Sequence, residues 1–178
     1  MMQLIAKLRQ NQRGTSLLEF AIVLPVLLVM FLGGYQLSDA MACKRRVTIM
    51  TRAMADITSQ YRSMTEAQMT SILAASTQIM APYSTAKAQV RISQVTVHPS
   101  GLIFKIDWSR GRNVAPREQD KWYLITGLPA AFRKPDSSFI YAESSYSYDA
   151  ALDTYFSATT FAQSIWMLPR RSPSVTIS

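Results

Sequence analysis

The residue whose type and position best indicate a chemical role lies near the start of the chain. There an apolar run contains a single carboxylate, Glu19. A short basic leader ends at Gly14, and Glu19 follows that glycine by five positions. An ionisable group in a membrane-length apolar segment is costly, so we interpret Glu19 as functional. The alternative is an interfacial carboxylate that is favoured by the helix dipole and reaches the lipid headgroups.

The rest of the sequence offers no catalytic constellation. It has one histidine, His98, and one cysteine, Cys43, without partners at metal-ligand spacing. It also has no glycine-rich phosphate loop and no paired acid motif. We therefore predict that the protein is not an enzyme and has no metal, cofactor or small-molecule substrate. Cys43 is interpreted as a small, helix-compatible residue, rather than as a site of intermolecular disulfide formation or acylation.

The formal net charge of +8 would allow nucleic-acid binding, but its distribution argues against it. Many of the cations flank the apolar run, with Lys7, Arg9 and Arg13 before it and residues 44–46 after it. The other basic residues are scattered and form no stripe. This distribution is typical of a membrane segment, and we predict no nucleic-acid partner.

The apolar run from Leu17 to Leu37 is long enough to cross the hydrocarbon core of a bilayer as a helix. It is longer than the apolar region of a cleaved signal peptide, and no small-residue cleavage site follows it, so we predict a retained anchor. Basic residues on both sides leave the orientation open. Pro25 removes one backbone hydrogen bond and predicts a kink, and Gly33-Gly34 loosens the helix further along.

Beyond the apolar run the sequence predicts two helices. Apolar residues recur every three or four positions from Val47 to Tyr61, so one helix is predicted from about Thr15 to about Tyr61. A capping box is predicted at residues 63–66. It opens a second helix that ends before Pro82 and has one apolar face, formed by Met69, Ile72, Leu73, Ser76, Ile79 and Met80.

The remaining sequence predicts strands. The apolar alternation shifts phase between residues 90–92 and 95–97, which indicates a β-bulge. Residues 102–108 predict a strand with one buried face, formed by Leu102, Phe104, Ile106 and Trp108, and a hairpin with the strand before it. Residues 109–118 predict a polar loop, and 122–125 are a short apolar stretch. Two more strands are predicted at 139–148 and 161–168.

The predicted fold class is therefore α+β: a long N-terminal membrane-spanning helix packed on a small antiparallel sheet of about four strands. We divide the chain into a basic leader at 1–14, a long helix at 15–61 that is transmembrane in its first half, and an α+β domain at 62–178.

Two stretches resemble one family. Residues 14–25, Gly-Thr-Ser-Leu-Leu-Glu-Phe-Ala-Ile-Val-Leu-Pro, look like the opening of TadE-like proteins, which are minor pilins or pseudopilins of the tight-adherence (Flp, type IVc) pilus system. Residues 139–148, together with the ending at 167–171, are similar to the distal strand and proline-arginine ending of the same family. The first stretch is the more specific one.

The resemblance implies a role for each matching residue. Gly14 would precede the bond cut by a prepilin peptidase, and Thr15 would become the new N-terminus. Glu19 would serve recognition or assembly by pairing with the amine of Thr15, on its own or a neighbouring subunit. Phe20 matches the aromatic residue that follows the glutamate, and Pro25 matches a proline in this region of pilin helices.

The resemblance also implies partners and a location. The partners would be the peptidase, other pilin subunits, an inner-membrane assembly platform and membrane lipid. The leader would lie in the cytoplasm and the C-terminal domain outside the bacterial inner membrane, or within an extracellular pilus that serves adhesion or secretion. Two functions stay open: a processed minor pilin that initiates, primes or tips the pilus, and an unprocessed single-pass protein with an outward interaction domain in an envelope assembly.

Overall fold

A computed structural model describes residues 13–126, 128, 130, 133–150 and 158–178. Residues 1–12 of the leader predicted at 1–14 lie outside this set. The helices are α1, Arg13–Ser59, and α2, Glu66–Gln78, and a short 3-10 turn follows at Thr85–Lys87. The strands are β1 Ser63–Met64, β2 Ala88–Val97, β3 Ile103–Arg112, β4 Trp122–Leu124, β5 Ser138–Tyr148, β6 Thr159–Met167 and β7 Thr176–Ile177.

The chain divides into two compact units, residues 1–40 and 41–178. In the second unit, α1 buries a stripe of side chains with three- and four-residue spacing, formed by Cys43, Val47, Met50 and Met54, all 1% exposed or less. The predicted long helix is confirmed, and it ends at Ser59 rather than at Tyr61.

The main sheet has five antiparallel strands in the order β4-β3-β2-β5-β6. The α+β class is confirmed, with one strand more than predicted. The additional strand is β4, three residues long, which the sequence showed only as a short apolar stretch. The predicted loop at 109–118 was wrong at its start, because β3 continues to Arg112 and pairs with Val90 there.

The β-bulge predicted in β2 is confirmed as a register shift between Gln94 and Val95. The additional residue lies in the partner strand, since Gln94 pairs with Trp108, Val95 pairs with Ile106, and Asp107 stands between the two. A bulge reverses the faces of a strand. Trp108 therefore lies on the opposite face of the sheet from Ile106, so the prediction of a single buried face for this strand was wrong.

The sheet consequently buries apolar groups on both faces. On the face toward α1, Thr51 and Ser144 share a close hydroxyl contact, and Trp108 lies on the same face. On the opposite face a second cluster contains Val95, Val97, Phe104, Ile106, Ile125, Leu128, Phe139 and Tyr141. Leu102 was expected to be buried with Phe104, but it precedes β3 and is 62% exposed.

Helix α2 begins with a capping box two residues later than predicted. The N-cap is Thr65, whose hydroxyl accepts from the Gln68 N–H at 3.2 Å, while the Gln68 side chain accepts from the Thr65 N–H at 2.9 Å. The prediction placed the box at residues 63–66. Ser63 instead belongs to β1, which pairs in parallel with β7 near the C-terminus.

Candidate functional site

The first unit presents a continuous apolar surface. From Leu17 to Leu37 the large apolar side chains of α1 are exposed, with Val29 and Phe31 both at 71%. In the described part of the chain, α1 is the one helix that is both long enough and apolar enough to cross a membrane. A helix that is apolar on every side has no favourable water-facing surface, so it requires lipid or protein around it.

The residues assigned to processing and assembly lie at the start of this helix. Gly14 and Thr15 lie in its first turn, and Glu19 and Phe20 follow with exposed side chains. Thr15 and Glu19 are four positions apart, so they share one face, with Cβ atoms about 5–6 Å apart.

Pro25 lies inside α1, and the helix continues through it. Because proline has no N–H, the hydrogen bond that residue 25 would donate to the Ala21 carbonyl is missing. The kink at this position stays a prediction. Gly33 and Gly34 lie further along, and a Cβ added to either would meet nothing within 4 Å. Packing in this structure therefore does not require glycine at these two positions.

The second unit contains a charged cluster that the sequence did not reveal. The Glu143 carboxylate accepts from Arg91 Nε at 2.9 Å, and from Arg117 Nε and Nη2 at 2.8 and 2.7 Å. Burial opposes ionisation of Glu143, but the hydrogen bonds from Arg117 and Arg91 outweigh it and lower the pKa of this carboxyl. The guanidinium of Arg117 also lies 4.9 Å from the centre of the Tyr123 ring.

Sequence reasoning missed this cluster because its three members come from separate elements. Arg91 and Glu143 are opposite each other on β2 and β5, and Arg117 follows β3 in a loop. The three residues are at least 26 positions apart in sequence. Once β2 and β5 are paired in register, opposite charges directly across the two strands are the signal that would identify the pair.

The proline-arginine ending contacts the end of α1. The Arg170 N–H donates to the Ser59 carbonyl at 2.8 Å, and its guanidinium lies 2.5 Å from an Asp56 oxygen. Both contacts occupy groups in the last turn of the helix, where a cation and an N–H donor are stabilising. Further along, the Val175 carbonyl accepts from Trp108 Nε1 at 2.6 Å. The C-terminal segment therefore contacts both the end of α1 and the sheet.

The histidine and the cysteine occupy structural positions. His98 Nδ1 accepts from the Ser100 N–H at 3.1 Å, and its ring meets the Trp122 ring edge to face at 4.9 Å. Cys43 is fully buried. Among the described residues no group of three or more His, Cys, Asp and Glu side chains could hold a metal ion.

These observations define an α+β protein with one N-terminal apolar helix suited to membrane anchoring. The sequence model of the family described as "TadE-like protein" matches residues 14–56, about a quarter of the chain. The resemblance predicted from the sequence is thereby confirmed over this segment, and the segment fits a protein related to the tight-adherence pilus. No curated protein and no solved structure matches the chain.

Proposed function

We propose that the protein is a minor pilin of a tight-adherence pilus, which a separate prepilin peptidase processes after Gly14. In this role it takes part in initiating, priming or tipping the fibre. Before assembly it is held in the bacterial inner membrane by α1, with residues 62–178 outside the cytoplasm. This topology comes from the resemblance to pilins, because the basic residues on both sides of the run favour neither orientation.

The observation that carries the proposal is the position of the family match. It begins at Gly14 and runs through the apolar part of α1 into the buried stripe. The match therefore starts at the residue before the proposed scissile bond. It includes Glu19, which follows Gly14 by five positions.

Cleavage has an electrostatic consequence in this geometry. The cut after Gly14 removes the leader and leaves an ammonium on Thr15, one helical turn from Glu19. A carboxylate in an apolar environment is costly unless it is paired closely with a cation, and the new ammonium provides that cation. The uncleaved chain has an uncharged amide at this position. Processing would thus allow Glu19 to enter a packed fibre as part of a neutral pair.

The exposed surface of α1 offers a contact for other pilin subunits. Its side chains from Leu17 to Leu37 are exposed and apolar, so they suit both the lipid phase and the helices of neighbouring subunits. The second unit contributes 138 residues with their own buried core. A domain of this size favours a low-copy role over that of a major subunit, whose resemblance extends little beyond the N-terminal helix. An inner-membrane assembly platform is the further partner that the resemblance implies.

A second function remains for comparison: an unprocessed single-pass protein whose outward domain acts as a fixed interaction module of an envelope assembly or secretion apparatus. The same apolar helix supports it, since anchoring alone requires no cleavage. The two functions differ in whether Thr15 ever becomes an N-terminus.

A substitution at Gly14 tests the proposal. Gly14→Val places a branched side chain at the proposed cleavage position, and we expect full-length precursor to accumulate in the membrane and pilus number to fall. Gly33→Val is the matched control, because it makes the same change in the same helix away from the proposed bond. Normal processing of the Gly14 variant would show that the bond is misassigned.

A substitution at Glu19 tests the pairing argument separately. Glu19→Gln keeps the size and removes the charge, so we expect membrane insertion and cleavage to continue while incorporation into sheared pili falls at least tenfold. Asp39→Asn is the control for loss of one carboxylate from α1. Wild-type amounts of the Glu19 variant in the pilus fraction would contradict the pairing argument.

A further inference from the structure

The face of the sheet opposite α1 carries an open cavity of about 340 Å³. Paired positions on adjacent strands form the floor of the cavity. Arg91 of β2 lies beside Glu143 of β5, and Gln89 of β2 lies beside Ser145 of β5. Ser164 of β6 extends the Glu143 row. These positions alternate with those that face α1, such as Ser144, so their side chains lie on the other side of the sheet.

A tight turn after β3 forms one wall of this cavity through Val114. The Val114 carbonyl approaches Gly111 so closely that a Cβ added to Gly111 would collide with it. Glycine at 111 therefore permits the turn to fold back over the sheet. The Arg91 Nη1 donates to the Ala115 carbonyl of the same turn at 3.2 Å. The wall and the floor of the cavity are thus connected.

The charged cluster beside the cavity is not balanced. Arg91 and Glu143 line the cavity, and Glu143 also pairs with Arg117 next to it, so the cluster of three side chains has a formal charge of +1. The three side chains are only 18–22% exposed, so solvent screens this charge weakly. Within the described parts of the chain, no group accepts a hydrogen bond from Arg91 Nη2. The same holds for the Gln89 amide nitrogen, since Gln89 uses its oxygen to accept from Ser145.

We propose that this cavity binds a uronic-acid-type sugar whose carboxylate pairs with Arg91. A guanidinium with unused N–H groups in a weakly screened site favours a carboxylate over a neutral group. Around it, the uncharged polar side chains of Gln89, Ser145, Gln163 and Ser164 line the cavity and suit hydroxyl groups. The volume is at the lower end of the range for ligand pockets, which fits one sugar residue.

An acidic peptide strand added to the sheet edge fits less well. Arg91 is two strands away from β6, which is the outermost described strand on that side of the sheet, about 10 Å at ordinary strand spacing. An aspartate or glutamate side chain on a strand added outside β6 would have to cross both β6 and β5 to reach it. The ligand is therefore expected to enter from the open side of the sheet face.

Titration of the full-length protein in nanodiscs of neutral lipid tests the proposal, with NMR or calorimetry as the readout. The probes are galacturonate, a short oligogalacturonate and, as the uncharged match, galactose. We expect galacturonate to bind at least tenfold more tightly than galactose, and added salt to weaken it. Tighter binding of the oligomer than of the monomer would identify a polysaccharide as the source, and equal binding a free sugar acid.

Two variants locate the site. Arg91→Gln should lower galacturonate affinity at least tenfold. Gln89→Ala, which leaves the Glu143 cluster intact, should lower it a fewfold without changing the melting temperature. Arg110→Gln is the matched control, because Arg110 pairs with Glu66 and its strand partner Ile92 faces α1. Absence of galacturonate binding, equal binding of galactose, unchanged binding by both variants, or preferential binding of an acidic peptide would each overturn the proposal.

Discussion

The two units of this protein differ in whether the same apolar residue types are exposed or buried. In residues 13–40, methionine, leucine and phenylalanine side chains are exposed, and Met30 is 70% exposed. In residues 41–178 the same residue types form the core, and Met54 is fully buried. One helix, α1, contains both methionines. The difference teaches that the second unit carries its own hydrophobic core, whereas the first has an apolar surface that requires lipid or protein around it.

The largest effect is expected when a methionine is truncated to alanine in each unit and the two variants are compared. Met54→Ala should lower the free energy of unfolding of the second unit by about 2–5 kcal/mol, because it leaves a cavity in a packed core. Met30→Ala should change it by less than about 0.5 kcal/mol. Denaturant unfolding in detergent can be followed by the fluorescence of Trp108, Trp122 and Trp166, all in the second unit. Equal changes in the free energy of unfolding for the two variants would contradict this difference between the units.

The next effect concerns charge in the second unit. Glu143→Gln should destabilise the unit by about 1–3 kcal/mol at pH 7, because it leaves two half-buried guanidinium groups without their carboxylate. Glu118→Gln is the control: Glu118 pairs with Lys121 at the surface, where such a pair contributes little. A loss in the Glu118 variant as large as that in the Glu143 variant would contradict the special weight given to the buried cluster.

The pH dependence follows from the direction of the Glu143 pKa. Because its pKa in the folded state lies below the ordinary value of 4.5, its contribution to stability is present above that value and is lost as the pH falls below it. The difference in free energy of unfolding between wild type and Glu143→Gln should therefore shrink below pH 4.5. A difference that stays constant down to pH 3 would contradict the assigned direction.

A smaller effect is expected at the start of α2. Thr65→Ala removes the hydroxyl that accepts from the Gln68 N–H, and it should cost about 1 kcal/mol of unfolding free energy. Thr70→Ala, the same change on the exposed surface of α2, should be neutral or slightly stabilising, since alanine is the better helix former. A Thr70 variant as unstable as the Thr65 variant would show that the cap has no particular weight.

The smallest effect is expected in the first unit. Gly33→Ala should stabilise α1 by at most about 1 kcal/mol, because no neighbouring atom lies within 4 Å of the added Cβ. Hydrogen exchange of the amides of residues 30–37 in nanodiscs should slow by up to about fivefold. Faster exchange would indicate that glycine is required at this position by a contact outside the single chain.

The sequence predicted the elements whose side chains follow a long, regular pattern. The apolar run and the stripe from Val47 to Met54 were sufficient to predict α1. The alternation along β5, and the stretch that Pro169 ends, were sufficient to predict β5 and β6. The phase shift between Gln94 and Val95 correctly indicated the bulge. It could not show that the additional residue is Asp107 in the partner strand, because that depends on how two distant strands align.

Short elements and charged contacts were not predictable for a related reason. β1 and β7 have two residues each, and β4 has three, too few for any periodicity to stand out. The cluster of Arg91, Arg117 and Glu143 forms only after β2 and β5 pair. The candidate processing residues could be predicted from the sequence. Gly14 and Glu19 are close together in it, and both differ in type from the apolar residues around them.

The central claim is that the chain is processed after Gly14, and intact mass with N-terminal sequencing of the protein from its native membranes tests it most directly. We predict a mature chain that begins at Thr15. A chain that still begins at Met1 or Met2 would contradict the claim and favour the unprocessed membrane module. A start beyond Leu37 would contradict it too, and would identify the apolar run as a removed signal.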